Sequence, residues 1–369
     1  TRDVTVLKTN QIAALTTDGI AALTTAQVHA LNTAAVPSLT TDRIAALTTD
    51  QVAVMTTAAV AQLGTSQVAA LTAKQVGALS TSAVAAMSTS QVGALTSGQV
   101  QGLTNAGINA MNTAQVAALT TTQVSSLTGA QVAGLSTGTL QSLSTTQVAA
   151  LTDTQIKALT TTEVAAMTTA QVNALTTAQV GVMSTDDILA LNTAQVGALT
   201  TTQIQSMSQA QVRALESSGV AILSTSQIQA LSANQFKAFA TEDVAALTTA
   251  QVVALTTDQV KVLETADIVA MSTGQVASLS TAQVQALTTG NVTALSTSQV
   301  QAMGTAQVNA LNTAQVVAMT TSQVAPLTAA QVTGMSTDQV KALENADVQV
   351  LKATQIKALT TAQVQALET

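Results

Sequence analysis

The sequence predicts an all-α solenoid of short helices, about six residues each, with one helix in every eight-residue repeat. Three observations predict this fold. Hydrophobic residues recur with a period of eight along the chain, the polar residues between them form helix-capping motifs, and the charged residues segregate by their place in the repeat. A β-solenoid is the alternative that the period alone leaves open.

The repeat runs without insertion or deletion. Leu or Met occupies every eighth position from residue 7 to residue 367, except for Phe239, and all ten methionines lie in this column. Val or Ile occupies every eighth position from residue 4 to residue 364, except for Leu140 and Phe236. The consensus octad is Leu-Thr-Thr-x-Gln-Val-x-Ala, and its positions are numbered 1 to 8 from the Leu.

Two regular structures do not fit this octad. In a continuous α-helix eight residues advance by about 800°, so the Leu column would drift by about 80° per octad and leave any single face. In a straight strand, positions 1 and 6 have opposite parity, so Leu and Val would lie on opposite faces. The octad therefore needs a structure that restarts in every repeat.

A helix that restarts at the first Thr satisfies this requirement. In residues 23–28, Thr24 is the expected N-cap and Gln27 is then residue N3, which gives a capping box. Leu23 precedes the cap and Val28 is residue N4, which gives a hydrophobic staple. Both motifs recur along the chain and predict one short helix per octad.

The charged residues test the helix prediction independently. All 18 Asp and Glu lie between the N-cap and N3, where the helix dipole favours acids. Position 7, near the C-terminus of the helix, holds six of the 11 cations: Lys157, Arg213, Lys237, Lys261, Lys341 and Lys357. Five cations between positions 2 and 5 of the octad are exceptions to this rule: Arg2, Lys8, Arg43, Lys74 and Lys352.

A single octad cannot fold alone, because an isolated helix of about six residues is unstable in water. Stacking on neighbouring octads buries the Leu and Val side chains and offsets the entropy of ordering. We therefore expect residues 1–369 to form one continuous octapeptide-repeat solenoid. The number of octads per turn stays open, because successive octads look equivalent.

A weaker pattern extends over pairs of consecutive octads, in which a cation-bearing octad is followed by an acid-bearing one. Arg213 precedes Glu216 in this way, and Lys261 precedes Glu264 and Asp267. Two interpretations remain open: a duplicated two-octad cassette with an exposed ion pair, or a periodic row of charges that sets lateral contact between solenoids. The first is favoured, although exposed ion pairs contribute only about 0–1 kcal/mol.

The sequence offers no constellation for catalysis, so we predict a protein that is not an enzyme, with no catalytic, cofactor-binding or metal-binding residues and no cofactor. The single histidine, His29, lies at a surface position of the octad, and there is no Cys. The acid pairs at 186–187 and 242–243 lack the spacing of a calcium loop. Helix-terminal charge accounts for them better.

Self-association, end-to-end or lateral, is the partner interaction that we expect first. The exposed Thr, Gln and Ser side chains are expected to form uncharged rows suited to glycans or a surface protein, and the Asn291 to Thr293 glycosylation triplet is attributed to chance. Eleven Lys and Arg are too few for a phosphate-tracking surface, which argues against nucleic acid. No apolar run approaches the length of a transmembrane segment.

The motif Leu-Thr-Thr-x-Gln-Val-x-Ala-Leu resembles the octapeptide repeats of giant bacterial secreted and surface proteins, often labelled haem-utilisation or adhesion exoproteins. The resemblance covers the whole chain and implies an extracellular or cell-surface location. Its haem-related part finds no support, because His29 is the only plausible axial histidine. Since the sequence begins and ends within the repeat, we also expect it to be a piece of a longer protein.

Three functions are compatible with this sequence. The first is a structural repeat protein, a subunit or segment of a rod, stalk or filament. The second is an adhesin-type binding module for glycans or a protein partner, for which residues 208–271 are the best candidate because they hold many non-consensus residues. The third and least favoured is ice binding, which requires Thr rows at the spacing of the ice lattice.

Overall fold

Short helices account for the regular structure of this chain. A computed structural model describes residues 6–31 and 33–367, and within them every regular element is helical and no strand occurs. The all-α prediction is confirmed, and the β-solenoid alternative is wrong. Contacts group the chain into two units, the first ending at Leu191 and the second starting at Asn192. One uninterrupted solenoid over residues 1–369 stays a prediction.

In the first unit the helices follow one another at intervals of one octad. They are Thr9–Ile12, Thr17–Ala21, Thr25–His29, the 3₁₀ helix Thr33–Ser38, Thr41–Ala45, Thr49–Ala53, Thr57–Ala61, Thr65–Ala70, Ala73–Ala78, Thr81–Ala85, Thr89–Gly93, Ser97–Gly102, Asn105–Asn109, Thr113–Ala118, Thr121–Ser126, Gly129–Ala133, Thr137–Gln141, Thr145–Ala149, Asp153–Ala158, Thr161–Ala166, Thr169–Ala174, Thr177–Val182 and Thr185–Ala190.

The second unit repeats the same arrangement. Its helices are Thr193–Ala198, Thr201–Ser206, Gln209–Arg213, Glu216–Ile222, Thr225–Ala230, Ala233–Phe236, Thr241–Ala246, Thr249–Ala254, Thr257–Lys261, Thr265–Ala270, Thr273–Ser278, Thr281–Ala286, Thr289–Ala294, Thr297–Ala302, Thr305–Ala310, Thr313–Val317, Thr321–Val324, Ala329–Gly334, Thr337–Lys341, Asn345–Gln349, Ala353–Ala358 and Thr361–Leu367.

Most helices begin where the capping motif predicts, and Glu216–Ile222, whose N-cap is Leu215, is an exception. Thr24 has extended backbone angles, φ −71° and ψ 157°, and its side chain accepts a hydrogen bond from the backbone N–H of Gln27. The Gln27 side chain accepts in turn from the backbone N–H of Thr24, which completes the capping box. In six-residue helices the residue at position 1 of the next octad ends the helix with extended angles, as at Leu71, whereas five-residue helices end one residue earlier, as at Ala30. The predicted helix start is confirmed.

The two hydrophobic columns form the core of each unit. From residue 36 to residue 343 every Val or Ile at position 6 and every Leu or Met at position 1 is buried, as are their replacements Leu140, Phe236 and Phe239. The rings of Phe236 and Phe239 lie against each other, with 5.1 Å between their centroids. Both phenylalanines are therefore core residues, as their place in the repeat predicts.

Helices stack on helices of the next turn, and this gives the size of a turn. Within each unit a helix packs against the third helix after it, as Thr225–Ala230 does on Thr249–Ala254. Side-chain hydrogen bonds between turns join residues that are 25 to 31 positions apart. One turn therefore takes between three and four octads, a number that the sequence left open.

The two prolines change the local helix. The octad that contains Pro37 forms the 3₁₀ helix Thr33–Ser38, and the helix before Pro326 ends early, at Val324. In both places the missing backbone N–H and the proline ring disfavour another α-helical turn. The core residues Val36 and Val324 nevertheless stay buried, so the stack continues past each proline. None of the helices in the described residues has the length and hydropathy to cross a bilayer.

Candidate functional site: buried glutamines and a charged edge

The glutamine at position 5 is buried between turns. Gln251 is 2% exposed. Its Oε1 accepts a hydrogen bond from the backbone N–H of Thr248 at 2.7 Å. Its Nε2 donates to the carbonyl oxygens of Val220, at 2.9 Å, and Leu223, at 2.7 Å, which belong to an earlier turn. One side chain thus caps its own helix and bonds the previous turn.

The same contact recurs along both units and forms a glutamine ladder. In each case the amide nitrogen donates to a carbonyl 28 residues earlier, and in most cases also to one 31 residues earlier, as Gln91, Gln147, Gln299 and Gln339 illustrate. The expectation of exposed Gln rows is therefore wrong for position 5. The physical reason is that the last carbonyls of each helix need a donor, and the following turn supplies it.

The residue types found at position 5 indicate the ladder, although the capping motif by itself does not predict it. A capping box functions with Glu as well as with Gln. Glutamate nevertheless occurs at this position only at Glu163, whereas Gln is the consensus. A carboxylate accepts hydrogen bonds but does not donate them. The preference for Gln over Glu therefore indicates that a donor at this position is favoured.

Arg43 shows that the donor matters more than the residue type. It occupies position 5, which made it an exception to the segregation of cations. Its Nε donates to the carbonyl oxygen of Leu15, 28 residues earlier, as a ladder glutamine would. Asn291 does the same with its shorter side chain, since its Nδ2 donates to Leu263 O at 3.1 Å. Asn291 is also 1% exposed, so it is inaccessible to glycosylation.

Glu163 breaks the ladder at one point. Its Oε2 accepts from the backbone N–H of Thr160 at 2.6 Å, but its buried Oε1 has no hydrogen-bond partner among the described residues. By the register of the ladder, an amide here would donate to the carbonyls of Val132 and Leu135. We expect Glu163→Gln to raise the free energy of unfolding by about 1–3 kcal/mol, because it supplies the missing donor.

Urea unfolding followed by circular dichroism measures this change. Glu242→Gln is the matched control, since Glu242 is exposed and lies outside the ladder. We expect it to change stability by less than about 0.5 kcal/mol. Equal effects of the two substitutions would show that lost charge, and not the regained hydrogen bond, is responsible.

Aspartates at position 5 find other partners. The Asp243 carboxylate accepts from the Ser217 hydroxyl at 2.9 Å, and Asp267 accepts from the Thr241 hydroxyl at 3.0 Å. Asp187 caps its own helix through the backbone N–H and hydroxyl of Ser184. Asp243 also caps its own helix, since it accepts from the backbone N–H of Ala240 at 2.8 Å, so helix capping accounts for one member of each acid pair. Among the described residues no group of three or more His, Cys, Asp or Glu is arranged to hold a metal ion.

The carboxyl of Asp347 makes the free energy of unfolding depend on pH, and the direction of its pKa shift gives the sign. Burial raises the pKa of its carboxyl above 3.8, the charge of Glu344 raises it further, and the hydrogen bond from the Glu344 backbone lowers it. Between 3.8 and the raised pKa, the unfolded chain has released a proton that the folded chain keeps. Its contribution to the free energy of unfolding therefore falls as pH rises through that window.

Asp347→Asn tests this sign. We expect the stability advantage of the variant over the parent protein to grow as pH rises from about 3 to about 7, since only the parent carries the unfavourable buried charge. Urea midpoints at both pH values measure it. Asp338→Asn is the control on the neighbouring octad, because Asp338 is exposed. An advantage that shrinks over the same range would contradict the assignment.

Side chains at position 7 make a second set of contacts between turns. Asn109 Nδ2 donates to Gly134 O at 2.8 Å, and Gln141 Nε2 donates to Ala166 O at 2.8 Å. His29 follows the same geometry, since its Nδ1 lies 2.9 Å from Val54 O. His29 therefore occupies the surface position that the sequence predicts, in contact with a backbone carbonyl.

The segment 208–271 contains the largest departure from octad geometry. Glu216 replaces the N-cap Thr and Gly219 replaces the ladder Gln, so neither half of a capping box is present. Glu216 has φ 51°, the one positive φ of a non-glycine residue in the described part of the chain. Beside it lies a cleft of about 530 Å³ lined by Arg213, Glu216, Ser217, Ser218, Ala240, Glu242 and Asp243.

The predicted ion pairs between successive octads do not occur in the part of the chain that the structure describes. The ion pair found within the described residues joins Lys261 Nζ and Asp258 Oδ1 of the same octad, at 2.9 Å. Lys261 does not pair with Glu264 or Asp267 of the following octad, so the interpretation as an exposed inter-octad pair is wrong. The reason is local, because Asp258 lies three residues before Lys261 on the same short helix.

Comparison with known proteins identifies a repeat family. A family model described as the ALTTAQ repeat matches residues 1–33, 28–57, 52–81, 76–105, 101–129, 129–161, 155–185, 180–217, 233–263, 260–297, 292–321 and 340–369. These six letters correspond to positions 8 and 1 to 5 of successive octads, as in residues 246–251. A search of curated proteins finds no match.

Proposed function

This chain belongs to the ALTTAQ-repeat family along most of its length, and on that basis we propose that it is a structural repeat protein. In this proposal it is a subunit or segment of a rod, stalk or filament outside the cell or at the cell surface. It acts by its mechanical continuity and by self-association, without catalysis. The resemblance to the repeats of giant bacterial secreted proteins supports the proposed location.

The glutamine ladder is the observation that carries this proposal. Within each unit, turns are bonded to one another by buried hydrogen bonds, as Gln283 is to Val252 and Leu255. The acceptors are backbone carbonyls, so the bond does not depend on the side chains of the earlier octad. A structural element requires such uniformity, because every turn then resists separation from its neighbours to a similar extent.

Electron microscopy of the purified chain tests the structural proposal. We expect elongated particles whose length falls in proportion when whole octads are deleted, for instance residues 272–295. Such a deletion preserves the period of eight, so circular dichroism of the shortened chain should remain helical. Compact particles whose dimensions do not follow the number of octads would contradict a stalk or filament.

An adhesin-type binding module is the second candidate, and the cleft beside Glu216 favours it. Backbone strain at Glu216 and non-consensus residues around it are concentrated in the segment 208–271. In this case a glycan or a surface protein would bind at that segment. Strain is often retained where function requires it.

Two matched deletions separate this candidate from the first. Both remove 64 residues and keep the period of eight, one deleting 208–271 and the other deleting 272–335. If binding to a glycan array or to cells depends on the candidate segment, only the first deletion abolishes it. Equal loss in both variants, or in neither, would contradict a binding site there.

A further inference from the structure

We propose that a charged edge in the second unit joins two copies of this chain side by side, with their stacking directions parallel. The charged edge is defined by two columns of exposed residues. The basic column is Arg213, Lys237 and Lys261, and the acidic column is Glu216, Glu242 and Glu264. This inference rests on the proposed structural function and specifies its lateral partner as a second copy.

The basic column arises because its residues recur at the interval at which helices stack on successive turns. Its three residues are spaced by 24 positions, which is three octads, and each lies at position 7. Helices Gln209–Arg213, Ala233–Phe236 and Thr257–Lys261 stack in that order on successive turns. Arg213 Nε donates to Ala238 O at 3.3 Å, which places Arg213 directly beside the octad of Lys237.

The acidic column lies next to it on the following octads. Helices Glu216–Ile222, Thr241–Ala246 and Thr265–Ala270 also stack on successive turns. Glu216 and Glu264 occupy position 2 of their octads, and Glu242 occupies position 4. Arg213, Glu216 and Glu242 line one cleft, so the two columns share the same edge of the unit.

The two columns do not neutralise each other within the chain. No ion pair joins a residue of one column to a residue of the other in the described residues, and the contact of Lys261 is with Asp258. That pair is weak, because both side chains are largely exposed, at 59% and 74%. Each turn instead adds a charge of the same sign to its column. An external surface with opposite columns would relieve this repulsion.

A second copy has the required charge pattern. The charged edge carries three exposed cations and three exposed anions, so a ligand of one sign would match only half of it. When two such edges face each other with parallel stacking directions, the basic column of each copy lies opposite the acidic column of the other. In the antiparallel arrangement like charges face each other. The parallel pair has a two-fold axis along the stacking direction and an isologous interface.

Charge-reversal variants and their mixture test this pairing. The acid-only variant is Arg213→Glu with Lys237→Glu and Lys261→Glu, and the base-only variant is Glu216→Lys with Glu242→Lys and Glu264→Lys. Sedimentation equilibrium is expected to show dimers for the parent protein and a dissociation constant at least about tenfold weaker for each variant alone. A one-to-one mixture of the two variants is expected to regain the parent affinity as a heterodimer.

The salt concentration and the location of the reversed charges provide two controls. Raising the salt concentration from about 0.05 M to about 0.5 M should weaken the dimer by about tenfold or more, because exposed charges are screened. Reversing three other cations at position 7, Lys157, Lys341 and Lys357, should leave the affinity unchanged. Circular dichroism confirms that every variant folds. Monomers of the parent protein at low salt, or failure of the mixture to associate, would overturn the proposal.

Cross-linking distinguishes the two orientations. Carbodiimide treatment of a mixture of ¹⁵N-labelled and unlabelled protein identifies links between copies by mass spectrometry. The parallel pair predicts links at the same level, from Lys237 to Glu242, whereas links from Lys261 to Glu216 would overturn the parallel arrangement. Failure of dimerisation leaves the stalk or filament proposal intact, because the octad-deletion experiment tests that independently on single particles.

Discussion

Gln251→Ala is expected to lower the free energy of unfolding by about 2–4 kcal/mol, because one substitution removes several buried contacts. The Thr248 N–H loses its acceptor, and the carbonyls of Val220 and Leu223 lose a donor from the following turn. Water cannot replace that donor without entering the contact between turns. Urea unfolding monitored by circular dichroism measures the loss.

Two further substitutions make this measurement specific to the ladder. Gln285→Ala removes an exposed glutamine at position 7 and should change stability by less than about 0.5 kcal/mol. Gln251→Asn should give an intermediate loss, since Asn291 shows that the shorter amide keeps the cap and one carbonyl contact. Equal losses for Gln251→Ala and Gln285→Ala would contradict a structural role for the ladder.

Gly102→Ala is expected to destabilise the first unit by about 1–3 kcal/mol, because a side chain does not fit between the turns there. A Cβ on Gly102 would lie 2.3 Å from the carbonyl oxygen of Ala73, and a Cβ on Gly77 would lie 2.4 Å from the carbonyl oxygen of Gly102. Both obstacles are backbone atoms, which cannot rotate away. The helices Ala73–Ala78 and Ser97–Gly102 would have to separate.

Gly98→Ala on the same helix is the matched control, with an effect of opposite sign. No atom lies within 4 Å of a Cβ built on Gly98. The added methyl group therefore only favours the helix, by about 0.5–1 kcal/mol. Thermal unfolding of the two variants measures both effects. Destabilisation by both substitutions to the same extent would contradict the close approach of the turns as its cause.

The local structure could be predicted because its determinants lie within one octad. Thr24 and Gln27 are three residues apart, so the capping box is visible in the sequence and is found in the structure. The burial of the two hydrophobic columns follows from the same register. These features depend on contacts between residues close in the sequence and on the period of eight, and both can be read directly from the sequence.

The contacts between turns could not be predicted in the same way. Gln251 donates to residues 28 and 31 positions earlier, and octads three or four positions away look equally suitable as partners. The sequence indicates a periodic row of charges but does not place it on one edge, since the spacing of 24 between Arg213 and Lys237 has meaning only once the size of a turn is known. The gap in the ladder at Glu163 could not be predicted either, because Glu is an accepted residue of a capping box.

The glutamine ladder has a consequence for how such a gene can change. Its acceptors are main-chain carbonyls, which every octad presents whatever its side chains, as the acceptors Leu140, Ile204 and Val220 illustrate. Unequal crossing-over between repeats that inserts or removes whole octads therefore leaves a chain in which each glutamine still meets a carbonyl. Insertion or deletion of a single codon within an octad would instead displace the glutamine amides of the following turn from their acceptors, because those hydrogen bonds span the altered position. Selection can thus vary the number of repeats freely while it holds their individual length at eight.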